Sequence, residues 1–214
     1  MRADVTSYLL TLRTCRYVPF ESDLSIQNPG DAWFYHKGHV FDNSTNLWDK
    51  YLATAGRGST FILNIPPNRS GIIPQEFLEA ATGVGDAVTA SFGTNVGATP
   101  GSAKGSCDGK TPLATIAAHG EFDAILLVEE LSTGQNVLGF EVELQDKAGK
   151  WTKATLAPTS CAGQTIGSKC VAILTGGTPA GTAAARVTCT AAIHRGEVGA
   201  SLKSVSLHKL KPPQ

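Results

Sequence analysis

The sequence predicts an α/β part followed by an antiparallel β-sandwich, with the change near Gly93. Before Gly93, helix and strand signals alternate. After it, short apolar runs with a period of two are separated by Gly, Thr, Ser and Pro. With 42% hydrophobic and 17% charged residues among 214, the chain has the composition of a globular protein with a core. Two domains are expected, residues 1–92 and residues 93–214.

In the first part, Ser44 or Thr45 can cap a helix whose apolar positions Leu47, Trp48, Tyr51, Leu52 and Ala55 recur on one face, and Gly56 suits its stop. Residues 60–65 (TFILNI) form a β-rich run apolar on both faces at its centre and closed by Pro66 and Pro67, which predicts a buried strand of parallel-sheet type. Pro74 fits the first turn of a helix that carries Phe77, Leu78, Ala81, Val84 and Val88 toward the core. Gly83 and Gly85 weaken that helix by about 1 kcal/mol each relative to alanine.

In the second part, Phe140, Val142 and Leu144, then Val187, Cys189 and Ala191, then Val205 and Leu207 alternate as strands with one buried face do. Turns are expected at Thr133-Gly134, Ala148-Gly149 and Gly176-Gly177. The tetrad His194-Arg195-Gly196-Glu197 reads as a polar hairpin loop. Residues 94–112, rich in small and polar residues without period, read as a surface excursion or a linker.

Eighteen basic residues balance eighteen acidic ones, so nucleic acid is not an expected partner. No apolar run approaches the roughly 18 residues of a membrane helix, so no membrane partner is expected either. Residues 1–17 lack a continuous apolar segment and a small-residue cleavage site, and are not read as a signal peptide. Five cysteines show no paired spacing and no clustering with histidine, so no metal is expected. Cys107, Cys161, Cys170 and Cys189 lie after Gly93, where one or two disulfides would staple loops in an exported chain. Plain burial is the alternative reading, and it suits Cys189. Gly83-x-Gly85 and Gly176-Gly177 lack the context of a phosphate cradle, and no cofactor is expected. Asn43-Ser44-Thr45 and Asn68-Arg69-Ser70 are acceptor-type sequons.

Two longer strings carry more. Residues 19–36, PFESDLSIQNPGDAWFYH, and residues 47–74, LWDKYLATAGRGSTFILNIPPNRSGIIP, stand in order and at a spacing that resembles the α-L-fucosidase family of glycoside hydrolases, plant and bacterial type. The matching motifs are P-x-E-x-D-x-S-I, then G-W-F-[YW]-H, then a helix, G-R-[GN] and a strand ending L-N-x-P-P-N. Residues 122–144 and the final SVSLHKL resemble the family's sandwich strands more loosely. The resemblance implies the C-terminal part of a (β/α)8-like barrel followed by the sandwich. It also implies a fucosylated glycan as substrate and a secreted, lysosomal or cell-wall setting.

Two departures stand out. The segment QNPGDA replaces a shorter R-P-G, and the family's upstream W-x-D nucleophile motif and histidine pair do not occur in this chain. Retaining glycoside hydrolysis needs two carboxyl groups about 5 to 5.5 Å apart. Glu21, placed just after an expected strand, is the best carboxylate on offer. It reads as a sugar-contacting or acid/base group or, structurally, as a loop-ordering carboxylate. Asp23 would project to the same side, as a structural partner.

The resemblance makes Trp33 and Phe34 an apolar wall for fucose; both read equally well as core aromatics. His36, and less so His39, would hydrogen-bond hydroxyls, while Asn64 and Arg57 would secure loop geometry. A barrel typically needs about 250 residues, so this chain is expected to be inactive alone. The alternative function is a non-catalytic carbohydrate-binding or structural sandwich module.

Overall fold

The computed structural model describes residues 18, 20–27, 33–97, 103–132, 134–193 and 199–214. Cys15, Pro19, the hairpin at 194–197, Thr133 and most of the QNPGDA insertion lie outside the described residues. In chain order the elements are β1 (Glu21–Ser25), α1 (Ser44–Ala53), a 3-10 turn (Ala55–Arg57), β2 (Thr60–Asn64), α2 (Gln75–Phe92), β3 (Ala103–Gly105), β4 (Pro112–Ala117), β5 (Ala124–Glu129), β6 (Val137–Gln145), β7 (Trp151–Lys153), β8 (Cys170–Ile173), β9 (Ala184–Ala192) and β10 (Ala200–His208). No helix among the described residues is long and apolar enough to cross a membrane.

Strands β1 and β2 form a two-stranded parallel sheet with Ser22 opposite Phe61 and Leu24 opposite Leu63. From β3 on, the pairing is antiparallel and makes two four-stranded sheets, ordered β3-β10-β5-β8 and β4-β9-β6-β7. Their facing side chains share one core, built on Ile116, Phe122, Ile125, Leu127, Phe140, Val142, Val187, Leu202 and Leu207. The expected alternation is visible along β6, where Phe140, Val142 and Leu144 are buried.

A second core explains why β5 is apolar on both faces. Ala124 of β5 and Val171 of β8 turn outward from the first core and meet Leu47, Trp48 and Leu52 of α1 and Phe77, Ala80 and Val84 of α2. Phe61 and Leu63 of β2 pack against the same cluster, so the helices share one core with both the parallel pair and the first antiparallel sheet.

Local chemistry sets the ends of these helices. Asn43, rather than Ser44 or Thr45, caps α1, its side chain accepting the Asn46 N–H at 2.9 Å. Ser44 is the first helical residue. The inward face of α2 is Phe77, Ala80, Val84 and Ala87. Leu78, expected inward, is 49% exposed, because the helix is rotated by about one position from the face that the larger side chains suggest. Gly83 has a packing reason. A Cβ there would lie 2.4 Å from Ser44 Oγ, so its absence lets the two helices approach.

The plain-burial alternative for Cys189 does not hold. Cys189 pairs with Cys107, and Cys161 pairs with Cys170. The first bond ties β9 to the segment before β4. By the chain-entropy model, closing a loop with a sequence separation of 82 stabilises by about 4.5 kcal/mol. Urea unfolding of C107S/C189S is expected to show a loss of about that size, and a midpoint unchanged from the parent protein would refute the pairing.

Glu129 is a buried carboxylate at the end of β5. Its Oε1 accepts the N–H groups of Asn136 and Val137 at 2.5 and 2.8 Å, and its Oε2 accepts that of Gly167 at 3.0 Å. Burial pushes this carboxyl above its ordinary value, outweighing the three N–H bonds that pull it down. Between the ordinary and the raised value the native protein holds a proton that the unfolded chain releases. Stability from this group therefore falls as pH rises through that window. In E129Q an amide NH2 must face a backbone N–H, which costs about 1–3 kcal/mol. Unfolding titrations of E129Q are expected to show that loss together with a less negative slope of stability against pH across the window; an identical slope would refute the raised value.

Candidate functional site

The two faces of the parallel pair differ. Ser22, Leu24, Phe61 and Leu63 turn toward the helical layer, while Glu21, Asp23 and Ser25 of β1 stand beside Thr60, Ile62 and Asn64 of β2 on the other face. Glu21 and Asp23 are exposed there, and Ile62 is 40% exposed. Among the described residues, β1 and β2 pair only with each other. Several large apolar side chains of this half are also uncovered: Val18, Phe20, Val40, Ile72, Ile73 and Leu78.

Glu21 is the first residue of β1, and the strand expected just before it falls largely outside the described residues. The remaining sequence-selected residues gather at the opposite, C-terminal end of the pair. Ser25 Oγ and the Trp33 carbonyl both accept hydrogen bonds from Asn64 Nδ2, at 3.3 and 2.9 Å. At about 3.3 Å of rise per residue, Glu21 lies about 13 Å along the strand from Ser25. The structure thus brings Trp33 to the Asn64 end and leaves Glu21 at the other.

Trp33 is 42% and Phe34 81% exposed, which sets aside the core-aromatic reading for both. Tyr35, between Phe34 and His36, is the aromatic that turns inward, onto Phe77 at 6.3 Å between ring centres. His36 is exposed and its ring stacks on that of His39 at 4.6 Å.

Gln27, which sequence reasoning did not single out, holds this segment. Its side chain is buried and engages His36 at both ends: Oε1 accepts the His36 N–H at 3.0 Å, and Nε2 donates to the His36 carbonyl at 2.9 Å. Together with the Gln27–Phe41 bridge and the Asp42 N–H donated to the Ile26 carbonyl at 2.8 Å, it pins both ends of the aromatic loop to the end of β1. A buried amide after a strand resembles a surface glutamine in sequence, so no local signal marks it.

Arg57 secures loop geometry across the chain rather than within the loop. Its Nη2 donates to the Pro158 carbonyl at 2.8 Å, and the Gly58 carbonyl accepts from Ser168 Oγ at 2.9 Å. Gly58 has φ 91°, and a Cβ there would meet the Lys169 carbonyl oxygen at 3.1 Å. The G-R-G triplet is thus the surface on which the disulfide-closed loop around residues 161–170 rests.

The sandwich presents less. Trp151, the only tryptophan after Gly93, is covered by the Arg186 guanidinium at 4.3 Å, and Arg186 Nε donates to Glu143 at 2.6 Å. That bond holds the Glu143 carboxyl below its usual range. A cavity of about 350 Å³ at one end of the sandwich is lined by Leu144, Gln145, Thr155, Thr175 and Pro179 and shares no residue with the β1–β2 face. No group of three or more metal-ligating side chains is found among the described residues.

No family model matches the chain. It is 29% identical over 157 residues to "Putative alpha-L-fucosidase 1" of Oryza sativa subsp. japonica, a match covering 60% of this chain and 30% of that protein. The crystal structure of a "putative alpha-L-fucosidase" from Bacteroides ovatus ATCC 8483 superposes with a TM-score of 0.73 at 25% identity, covering 92% of this chain and 31% of the other. A Ruminococcus gnavus family 29 glycoside hydrolase fucosidase, solved in complex with fucose, shares the fold at a TM-score of 0.68 and 21% identity, covering 89% and 41% of the two chains. The resemblance to α-L-fucosidases is thus present in both sequence and fold, over most of this chain. The chain spans less than half the length of each of these relatives.

Gln27→Ala removes both hydrogen bonds to His36 and is expected to destabilise by about 1–3 kcal/mol. Hydrogen exchange at the His36 amide should accelerate well beyond the change at β6 amides. Equal protection at His36 in the variant would contradict the pinning role.

Proposed function

We propose that the chain is the C-terminal part of an α-L-fucosidase, in which β1 and β2 are closing strands of the catalytic (β/α)8 barrel and residues 93–214 form the adjoining sandwich domain. The observation that carries this reading is the half-covered parallel pair. Parallel sheets occur almost only with both faces covered, and among the described residues one face and both outer edges of this pair are uncovered. The motifs of residues 19–71 and the likeness to fucosidases of plants and bacteria support reading that barrel as an α-L-fucosidase barrel.

In this reading the open face of β1 and β2 looks into the barrel, and Ser25, Asn64 and Trp33 stand at its C-terminal rim, where barrel enzymes bind substrate. Trp33 and Phe34 offer exposed aromatic faces to the C–H face and methyl group of fucose, and His36 offers ring nitrogens to its hydroxyls. The family motif offers Glu21 as acid/base carboxylate, but it stands about 13 Å along β1 from Ser25, at the end away from the rim. Asp23, on the same face and one alternation closer, is the nearer carboxylate of this chain, and the acid/base role is assigned to neither. The attacking carboxylate belongs to a W-x-D segment that this chain does not contain. The covered Trp151 ring leaves the sandwich without an exposed tryptophan platform, which weighs against a free-standing carbohydrate-binding module.

Incubated with an aryl α-L-fucoside, the 214-residue chain alone is expected to show no turnover; Glu21-dependent turnover would refute the proposal. In a longer chain that carries the W-x-D segment, E21Q is expected to keep the alkaline limb of the pH–rate profile; loss of that limb with kcat lowered about 10²–10⁴-fold would return the acid/base role to Glu21.

A further inference from the structure

The triplet Asn43-Ser44-Thr45 takes no part in the site described above. Asn43 is exposed and extended, with φ −74° and ψ 175°, and its Oδ1 accepts the Asn46 N–H at 2.9 Å. The helix cap uses the side-chain oxygen and makes no demand on the amide nitrogen. Ser44 is turned against α2, where it occupies the space left by Gly83, while Asn43 and Thr45 on either side stay exposed. The Cys107–Cys189 and Cys161–Cys170 disulfides belong to a protein matured under oxidising conditions, the setting in which such triplets meet their glycosylation machinery.

From this combination we infer that Asn43 is an N-glycosylation site. The donor is a lipid-pyrophosphate-linked oligosaccharide. Asn43 Nδ2 attacks the anomeric carbon of its first sugar; the new C–N bond forms as the carbon–oxygen bond to pyrophosphate breaks. The lipid pyrophosphate leaves with the electron pair, and Nδ2 gives up one proton. The linkage remains an amide, so Oδ1 still accepts from Asn46 and the cap survives glycosylation. Asn68, the other acceptor-type residue, is half-buried and its Oδ1 already holds the N–H groups of Ser70 and Ile72 at 2.9 and 3.1 Å. It is not included in the assignment.

The test is to secrete the full chain from a eukaryotic host, treat it with an amide-cleaving glycosidase and map asparagine-to-aspartate conversion by mass spectrometry. Conversion at Asn43 is expected, together with a downward gel shift on digestion. T45A keeps the capping side chain intact and should lose the shift, T45S should retain it, and N68Q should leave it unchanged. An unmodified Asn43 in the secreted protein, a glycan persisting in T45A, or a glycan on Asn68 alone would each overturn the assignment.

Discussion

The helical layer shares one core with both the sandwich and the parallel pair, and that shared burial organises the rest of the molecule. Leu47, Trp48, Phe77 and Val84 belong to a core that includes Ala124 and Val171 of the sandwich and has Phe61 and Leu63 of the parallel pair packed against it. Removing either sheet would expose part of the same two helices. At roughly 25 cal/mol per Å² of apolar surface, even a partial loss of that burial is comparable with the whole stability of a domain. The parallel pair, far too small to fold alone, is therefore joined to the sandwich through the helical core.

Polar contacts fix the angle that apolar packing leaves free. The loop closed by Cys161–Cys170 lies against the 3-10 turn through Arg57, Gly58 and Ser168, and Lys169 Nζ donates to Tyr51 Oη at 2.6 Å while lying over the Tyr51 ring. The sandwich thus grips the segment between α1 and β2. In the proposed barrel its contribution would be to hold that closing βα unit in register.

Much of the fold was legible in the sequence because the signals were periodic. The β6 alternation, the α1 stripe and the existence and parallel pairing of the strand before Pro66 and Pro67 are physical patterns that tertiary context had no reason to override. The burial expected of that strand is not found, with Ile62 40% exposed. The site was legible only through its motifs, since exposed Trp33 and Phe34 look in sequence like core aromatics. What the sequence concealed shares one property: it depends on partners distant along the chain. Gly83 is a helix-contact glycine only because Ser44 lies opposite. Gln27 is buried only because the loop returns to it, and Cys189 finds Cys107 at a separation of 82. The face of α2 was misjudged at Leu78 because small residues, Ala80 and Ala87, form the buried side.

The central claim is that the edges of β1 and β2 left unpaired among the described residues are interior to a larger sheet. An experimental structure of a longer polypeptide containing these residues tests it most directly. The expected result is a further parallel strand hydrogen-bonded to the outer edge of β1 and another to that of β2, continuing a closed barrel whose interior holds Asp23 and Ile62. Free edges in that structure, or a covering of the same face by a helix or loop, would contradict it.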